Sequence, residues 1–331
     1  MSIDLKTTNI EPIRRTFDHL AEKIGPNKNP TRYQEATFGL QPEVNQHYRP
    51  TWDPEHELYD RTRTAIVMED FDDLVDPRQY YYGTWTIQRG KQQESQENNF
   101  NFVESKQLMS ALDADIRKQL IGLILPLRHV AWGANTNNNY IAAYGFGAPV
   151  TSGATMHMMD QLGIAQYITR IGLIFGDNDP AILDVAKASW MDDAMWQPMR
   201  KLIEDMMVTK DWFELFLAQN LVLDGMLYPL VFEHIDAYAV SKGAAGYSMM
   251  TEFMSDWYKE SSRWVDAVVK RAGGESEPNL EHLTKWYGTW TPLAKEAVAP
   301  LANFILEDAA AVMNGVEEEL HKRASKLGIS S

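Results

Sequence analysis

The chain contains no cysteine. That excludes a disulfide framework, a cysteine nucleophile, thiolate-bound zinc and cysteine-ligated iron-sulfur clusters. It suits a reducing compartment, so the cytoplasm is the expected location. Positive charge is scarce: 31 Lys and Arg stand against 46 Asp and Glu, a net charge of -15. Such a field repels phosphate backbones and anionic lipid surfaces, so neither nucleic acid nor a membrane is an expected partner. Long hydrophobic runs are missing too. Residues 121–127 form one of the longest and already contain Gly122 and Pro126, whereas a bilayer span needs about 20 apolar residues. Residues 1–10 carry Asp4 and no apolar stretch, so no secretion signal is expected.

What is present is a chain of 331 residues with 44% apolar content, enough to bury a large core. Ten Trp, 14 Tyr and 16 Met supply large, adaptable apolar surface for a core or a docking face. The first hundred residues are dense in Pro (Pro26, Pro30, Pro42, Pro50, Pro54, Pro77) with aromatics between them. This composition predicts an extended, mostly irregular N-terminal arm over residues 1–102, a subunit-docking segment with short helices at 13–24 and 56–71. The polar stretch 91–101 reads as a solvated loop. The remainder, 103–331, reads as all-α. Helices are expected at 105–129, 155–175, 180–189, 193–208, 211–240, 247–271 and 296–327. Asp179 before Pro180, and Asp211, are expected N-caps. Residues 212–232 are apolar nearly all round, which predicts a helix through the centre of a bundle.

A large bundle invites a test for a carboxylate-bridged di-iron centre, which takes a Glu from each of two helices and a Glu-x-x-His pair from each of two others. Of eight histidines, only His321 follows a Glu by three residues, Glu318, and only His56 follows an Asp so, Asp53. The first pair lies in a charged tail and the second beside Pro54, so neither is expected to bind metal. Gly145-Phe146-Gly147 lacks the third glycine and the preceding strand of a dinucleotide fingerprint, and no phosphate loop, nucleophile elbow or zincin motif occurs. Asp224 stands out as a carboxylate in the apolar run 221–231. It reads as a structural carboxylate bound by Arg or backbone, with a functional acid as the other reading.

Four stretches together carry a resemblance: Tyr48-Arg49-Pro50-Thr51-Trp52, Asp76-Pro77-Arg78-Gln79-Tyr80-Tyr81-Tyr82-Gly83, Gly153-Ala154-Thr155-Met156-His157-Met158-Met159-Asp160 and Leu223-Asp224-Gly225-Met226-Leu227-Tyr228-Pro229-Leu230. Over nearly its whole length the chain resembles the beta subunit of bacterial multicomponent monooxygenases, nearest to that of phenol hydroxylase. The resemblance implies a ferritin-like helical bundle in which only the alpha subunit keeps the iron ligands. The stretch 158–164 is similar to the alpha segment with the first Glu-x-x-His, with Gln161 and Ile164 at the ligand positions. Ser261-Ser262-Arg263-Trp264 resembles the second, placing Ser261 and Trp264 there, while a one-residue offset would restore Glu260 but put Arg263 at the His position. Ala131 and Leu223 are the expected equivalents of the single-Glu positions.

By the same resemblance this chain has no catalytic, cofactor-binding or metal-binding residues of its own. It would serve an assembly of two alpha, two beta and two gamma chains, with the di-iron centre in alpha, a reductase carrying FAD and an iron-sulfur cluster, and a regulatory protein. The complex would hydroxylate phenol and related aromatics with O2 and NADH. Trp52, Tyr80, Tyr81 and Tyr82 are the expected interface anchors. A self-sufficient di-iron oxygenase and an independent helical scaffold are the competing readings.

Overall fold

The computed structural model describes residues 18–44 and 47–329. The part of the expected helix 13–24 before residue 18 lies outside them, as does the segment 1–10. The expected all-α class is found, and among the described residues there is no strand. Two short helices, α1 (Ala21–Ile24) and α2 (Arg32–Thr37), lie in the arm. They are followed by α3 (Tyr82–Ser105), α4 (Ala114–Ile124), α5 (Leu127–Tyr144), α6 (Ala148–Phe175), α7 (Ala181–Asp192) and α8 (Gln197–Met207). The long α9 (Trp212–Ser241) precedes α10 (Ala245–Gly273), α11 (Glu277–Ile305) and α12 (Ala309–Lys326).

α9 is the central helix. It is long and apolar enough to cross a membrane by length and composition, yet its most apolar window is wholly buried inside the fold. It packs against α5, α10, α11 and α12, so its all-round apolarity is consumed by neighbours on every side. The Asp211 carboxylate caps it as expected, accepting from the backbone N–H of Phe213 and Glu214. Two π-helical stretches, Leu217–Leu223 and Leu230–Ile235, interrupt its α-helical ladder on either side of Asp224–Pro229. Each widens the turn and rotates the residues beyond it. α10 buries one face: Met250, Phe253, Met254, Trp257, Trp264, Val265 and Val268 are all buried.

Several expectations need correction. The segment 91–101 is not a loop but the middle of α3, which also runs through the boundary drawn at 102. Its sequence concealed it because α3 buries only Gln96, Phe100 and Val103 and docks largely through polar groups. Gln96 and Asn99 donate to the carbonyls of Met250 and Met249 on α10, and Arg170 of α6 pairs with Glu97. The expected helix 56–71 is irregular, with a 3-10 turn only at Phe71–Asp73. There the backbone N–H groups of Ala65, Val67 and Glu69 donate to Asp211, Asn279 and Glu275, far along the chain, instead of to a helical ladder.

The expected helix 105–129 is broken into α4 and α5. Asp113 caps α4, accepting from Asp115 and Ile116, and Pro126, with no N–H to donate, separates the two. The expected helix 296–327 is two helices, α11 beginning at Glu277 and ending before an extended Leu306. Ser276 caps α11 and Pro278 stands at its first turn, where proline is tolerated; Pro292 and Pro300 sit inside it.

The arm folds back on its own chain. Ile66, Met68, Phe71 and Leu74 join the main core. Leu20, Tyr33 and Phe38 form a separate small cluster with Ile24, Val75 and Tyr81 against it.

Candidate functional site

α5, α6 and α9 line a cavity of about 20 Å3, bounded by Leu127, Val130, Ala131, Ala134, Gln161, Ile164, Ile168, Asp224, Leu227, Tyr228 and Phe232. All are buried. The helices are held in register beside it by amides. Asn138 of α5 and Asn220 of α9 exchange reciprocal side-chain hydrogen bonds at 3.0 Å, and Asn137 donates to Gln219 at 2.9 Å. Asn220 and Gln219 lie in the first π-helical stretch. That register brings Asp224, not its neighbour Leu223, to the cavity wall.

Asp224 is bound neither by Arg nor by backbone. Its Oδ1 accepts from Gln219 Nε2 at 2.9 Å, and its Oδ2 faces His157 Nε2 of α6 at 3.8 Å, beyond hydrogen-bond reach. A histidine far away in sequence does therefore lie near it. The His157 ring is wedged between Trp257 and Trp264, with centroids at 4.7 and 5.4 Å, and both its nitrogens are without a protein partner. Tyr228 donates weakly to Gln161 Oε1 at 3.4 Å. Burial, with Asp224 nearby, pushes its phenol well above the ordinary value, so it stays protonated.

One turn away, α6 and α10 are joined by charge. Asp160 accepts from Arg89 Nε and Nη2 and from the indoles of Trp85 and Trp257; Glu260 accepts from Arg89 and lies 3.5 Å from Arg78. Arg78 is also forked onto Asp76. Tyr80 covers both guanidiniums. Burial raises its phenol to about 12, with Glu260 adding to the shift.

The residues expected at former ligand positions are thus partly assembled. Ala131, Gln161 and Ile164 share the cavity; Leu223 is buried outside its wall. Ser261 donates to the carbonyl of Tyr258. Trp264 fills the space over Gly153, where a Cβ would stand 2.7 Å from the indole. Glu260 is spoken for by arginine, and Arg263 is exposed. These residues do not fit a carboxylate-bridged metal pair. The cavity wall offers one carboxylate, already bound to an amide, and among the described residues no group of three or more His, Asp or Glu is placed to hold a metal ion.

The other two pairs are also engaged elsewhere. Asp53 accepts from His56 Nδ1 at 3.0 Å and Arg63 at 2.5 Å, and the His56 contact first, then Arg63, holds its carboxyl below the usual range. His321 Nδ1 pairs with the Tyr287 hydroxyl at 2.8 Å and its Nε2 faces Glu317, not Glu318. Of the expected anchors, Tyr82 and Trp52 are exposed, while Tyr80 and Tyr81 are half-buried against their own chain. Sequence reasoning missed Arg89, Asp160 and His157. Asp160 carried a signal, being the only charged carboxylate of α6.

Comparison with known proteins gives the arrangement its context. The Methane/Phenol/Alkene Hydroxylase family matches residues 52–275. The chain is 44% identical over 333 residues to the phenol 2-monooxygenase oxygenase component DmpL of Pseudomonas sp. (strain CF600), covering 100% of this chain and 99% of that one. It is 22% identical over 306 residues to the toluene-4-monooxygenase hydroxylase component subunit beta of Ectopseudomonas mendocina, covering 89% and 91%. Its fold superposes on a chain of the crystal structure of xenon-pressurised phenol hydroxylase from Pseudomonas sp. OX1 with a TM-score of 0.93, at 48% identity and 99% coverage of both. A chain of toluene 4-monooxygenase shares the fold at a TM-score of 0.76 and 19% identity, covering 90% of this chain and 99% of that one. The chain belongs to the methane/phenol/alkene hydroxylase family and is a homologue of phenol 2-monooxygenase oxygenase components.

Proposed function

We propose that this chain is a non-catalytic structural subunit of a cytoplasmic multicomponent phenol hydroxylase. Its partners are an iron-bearing alpha subunit and a gamma subunit, in an assembly with two copies of each. A regulatory protein and an NADH-dependent reductase with FAD and an iron-sulfur cluster act on the complex. The substrate is held in the alpha subunit, where O2 hydroxylates the aromatic ring.

The observation that carries this reading is the fate of the buried carboxylates. Asp160 and Glu260 are neutralised by Arg89, and Asp224 is occupied by Gln219. A di-iron centre needs several free carboxylates converging with histidine, and a guanidinium beside them opposes a cation. The chain's own contribution is then shape: a solid bundle whose outer surface, including Tyr82 and Trp52, is free to meet other subunits.

The test is iron content by elemental analysis, for the chain expressed alone and coexpressed with candidate alpha and gamma chains. Iron confined to the coexpressed complex, with this chain stoichiometric in it, supports the proposal. About two irons per isolated chain, the stoichiometry of a di-iron bundle, would overturn it.

A further inference from the structure

We infer that the cavity between α5, α6 and α9 is a hydration site that takes one water molecule, bound by Asp224 and Gln161. Two polar atoms carried by its lining residues are buried and have no protein partner: Asp224 Oδ2 and Gln161 Nε2. Asp224 and Gln161 are 3% and 1% exposed. One atom can only accept and the other can only donate, and water does both at once. The remaining walls are aliphatic apart from Tyr228 and Phe232, so no other ligand chemistry is offered.

Size narrows the ligand further. The cavity measures about 20 Å3; roughly 10–15 Å3 is enough for a single water, and an organic molecule needs far more. A buried carboxylate oxygen without a donor is costly, and His157 Nε2, which faces it at 3.8 Å, is too far to serve directly. The Asp224 oxygen on the other side is already satisfied by Gln219, which orients the carboxylate. Gln161 is oriented in turn by Tyr228 on its Oε1, leaving its amide N–H groups to donate. The site is independent of whether the chain works alone or in a complex.

High-resolution crystallography of the full chain, alone or with the chains that copurify with it, tests the assignment. The expected result is a single spherical peak at hydrogen-bond distance from both Asp224 Oδ2 and Gln161 Nε2. The peak is retained in Asp224→Asn, which keeps the shape and polarity of the site, and lost in the double variant Asp224→Leu with Gln161→Leu. An empty cavity in the wild type, contacts as short as metal–oxygen bonds, or a peak that survives the double variant would overturn it. Should the double variant fail to fold, the wild-type and Asp224→Asn maps decide the question by themselves.

Discussion

Arg89 of α3 grips Asp160 of α6 through both Nε and Nη2, each 2.7 Å from a carboxylate oxygen, 71 residues along the chain. The same guanidinium reaches Glu260 of α10. Burial alone would push the guanidinium pKa down; the bonds to Asp160 and Glu260 hold it above its ordinary value. One side chain of a mostly polar helix therefore ties two core helices together, at the residues just before Gln161 and Ser261.

Replacing Arg89 should be among the most damaging single changes in the chain. Arg89→Met leaves buried Asp160 without its cation and Glu260 with only the more distant Arg78, and the loss of one member of a buried ion cluster costs about 3–5 kcal/mol. Arg89→Lys keeps the charge but not the planar fork and should fall between the two. Urea unfolding of the three proteins measures it; equal midpoints for wild type and Arg89→Met would show that the cluster adds nothing.

Gly153→Ala tests the seat of Trp264. The added methyl would stand 2.7 Å from the indole ring, and overpacking of this kind costs about 1–3 kcal/mol. Trp264→Leu costs stability alone but should relieve part of the Gly153→Ala loss. A double-mutant cycle with purely additive losses would rule out the direct clash.

His129 gives the fold a measurable acid sensitivity. Burial, then Arg128 and Lys187, lowers its pKa from 6.5 to about 4, and its ring stacks on Trp190. The unfolded chain binds this proton first, so the neutral ring's contribution is fully present above pH 6.5 and is lost as pH falls toward 4. Compared by thermal melts across that window, wild type should lose stability relative to His129→Phe as pH falls toward 4. Parallel curves would remove His129 as the cause.

Tyr82 is 73% exposed, so Tyr82→Ala should change the stability of the isolated chain by no more than about 0.5 kcal/mol. If it anchors a subunit contact, the same change should weaken association by about 2 kcal/mol, a tenfold or greater rise in Kd. Titration calorimetry against the copurified partner chain reads it directly. Unchanged affinity would remove Tyr82 from the interface.

Particular residues show what could be read in advance. The near-continuous apolarity of 212–232 announced a central helix, and Asp211 announced its start. α3 escaped because periodicity detects burial of apolar stripes, and this helix is positioned by Arg89, Gln96 and Asn99 instead. The first part of α11 escaped because its helix was expected only from 296, although Pro278 occupies a tolerated first-turn position. Ala131, Gln161 and Ile164 line one cavity together with Asp224 rather than Leu223, and the π-helical turn that sets which of the two faces it leaves no pattern in composition.

The sequence by itself determined the helical class, the central helix and the scarcity of metal-ligating pairs, since these follow from local periodicity, caps and residue inventory. Only the tertiary structure decided that Asp224 faces His157, that Arg89 spans to Asp160 and Glu260, and that the arm's backbone bonds to Asp211, Asn279 and Glu275. Those partners lie far apart along the chain, and no local propensity selects between them. Their choice is made when the helices pack and every buried polar group must find a neighbour.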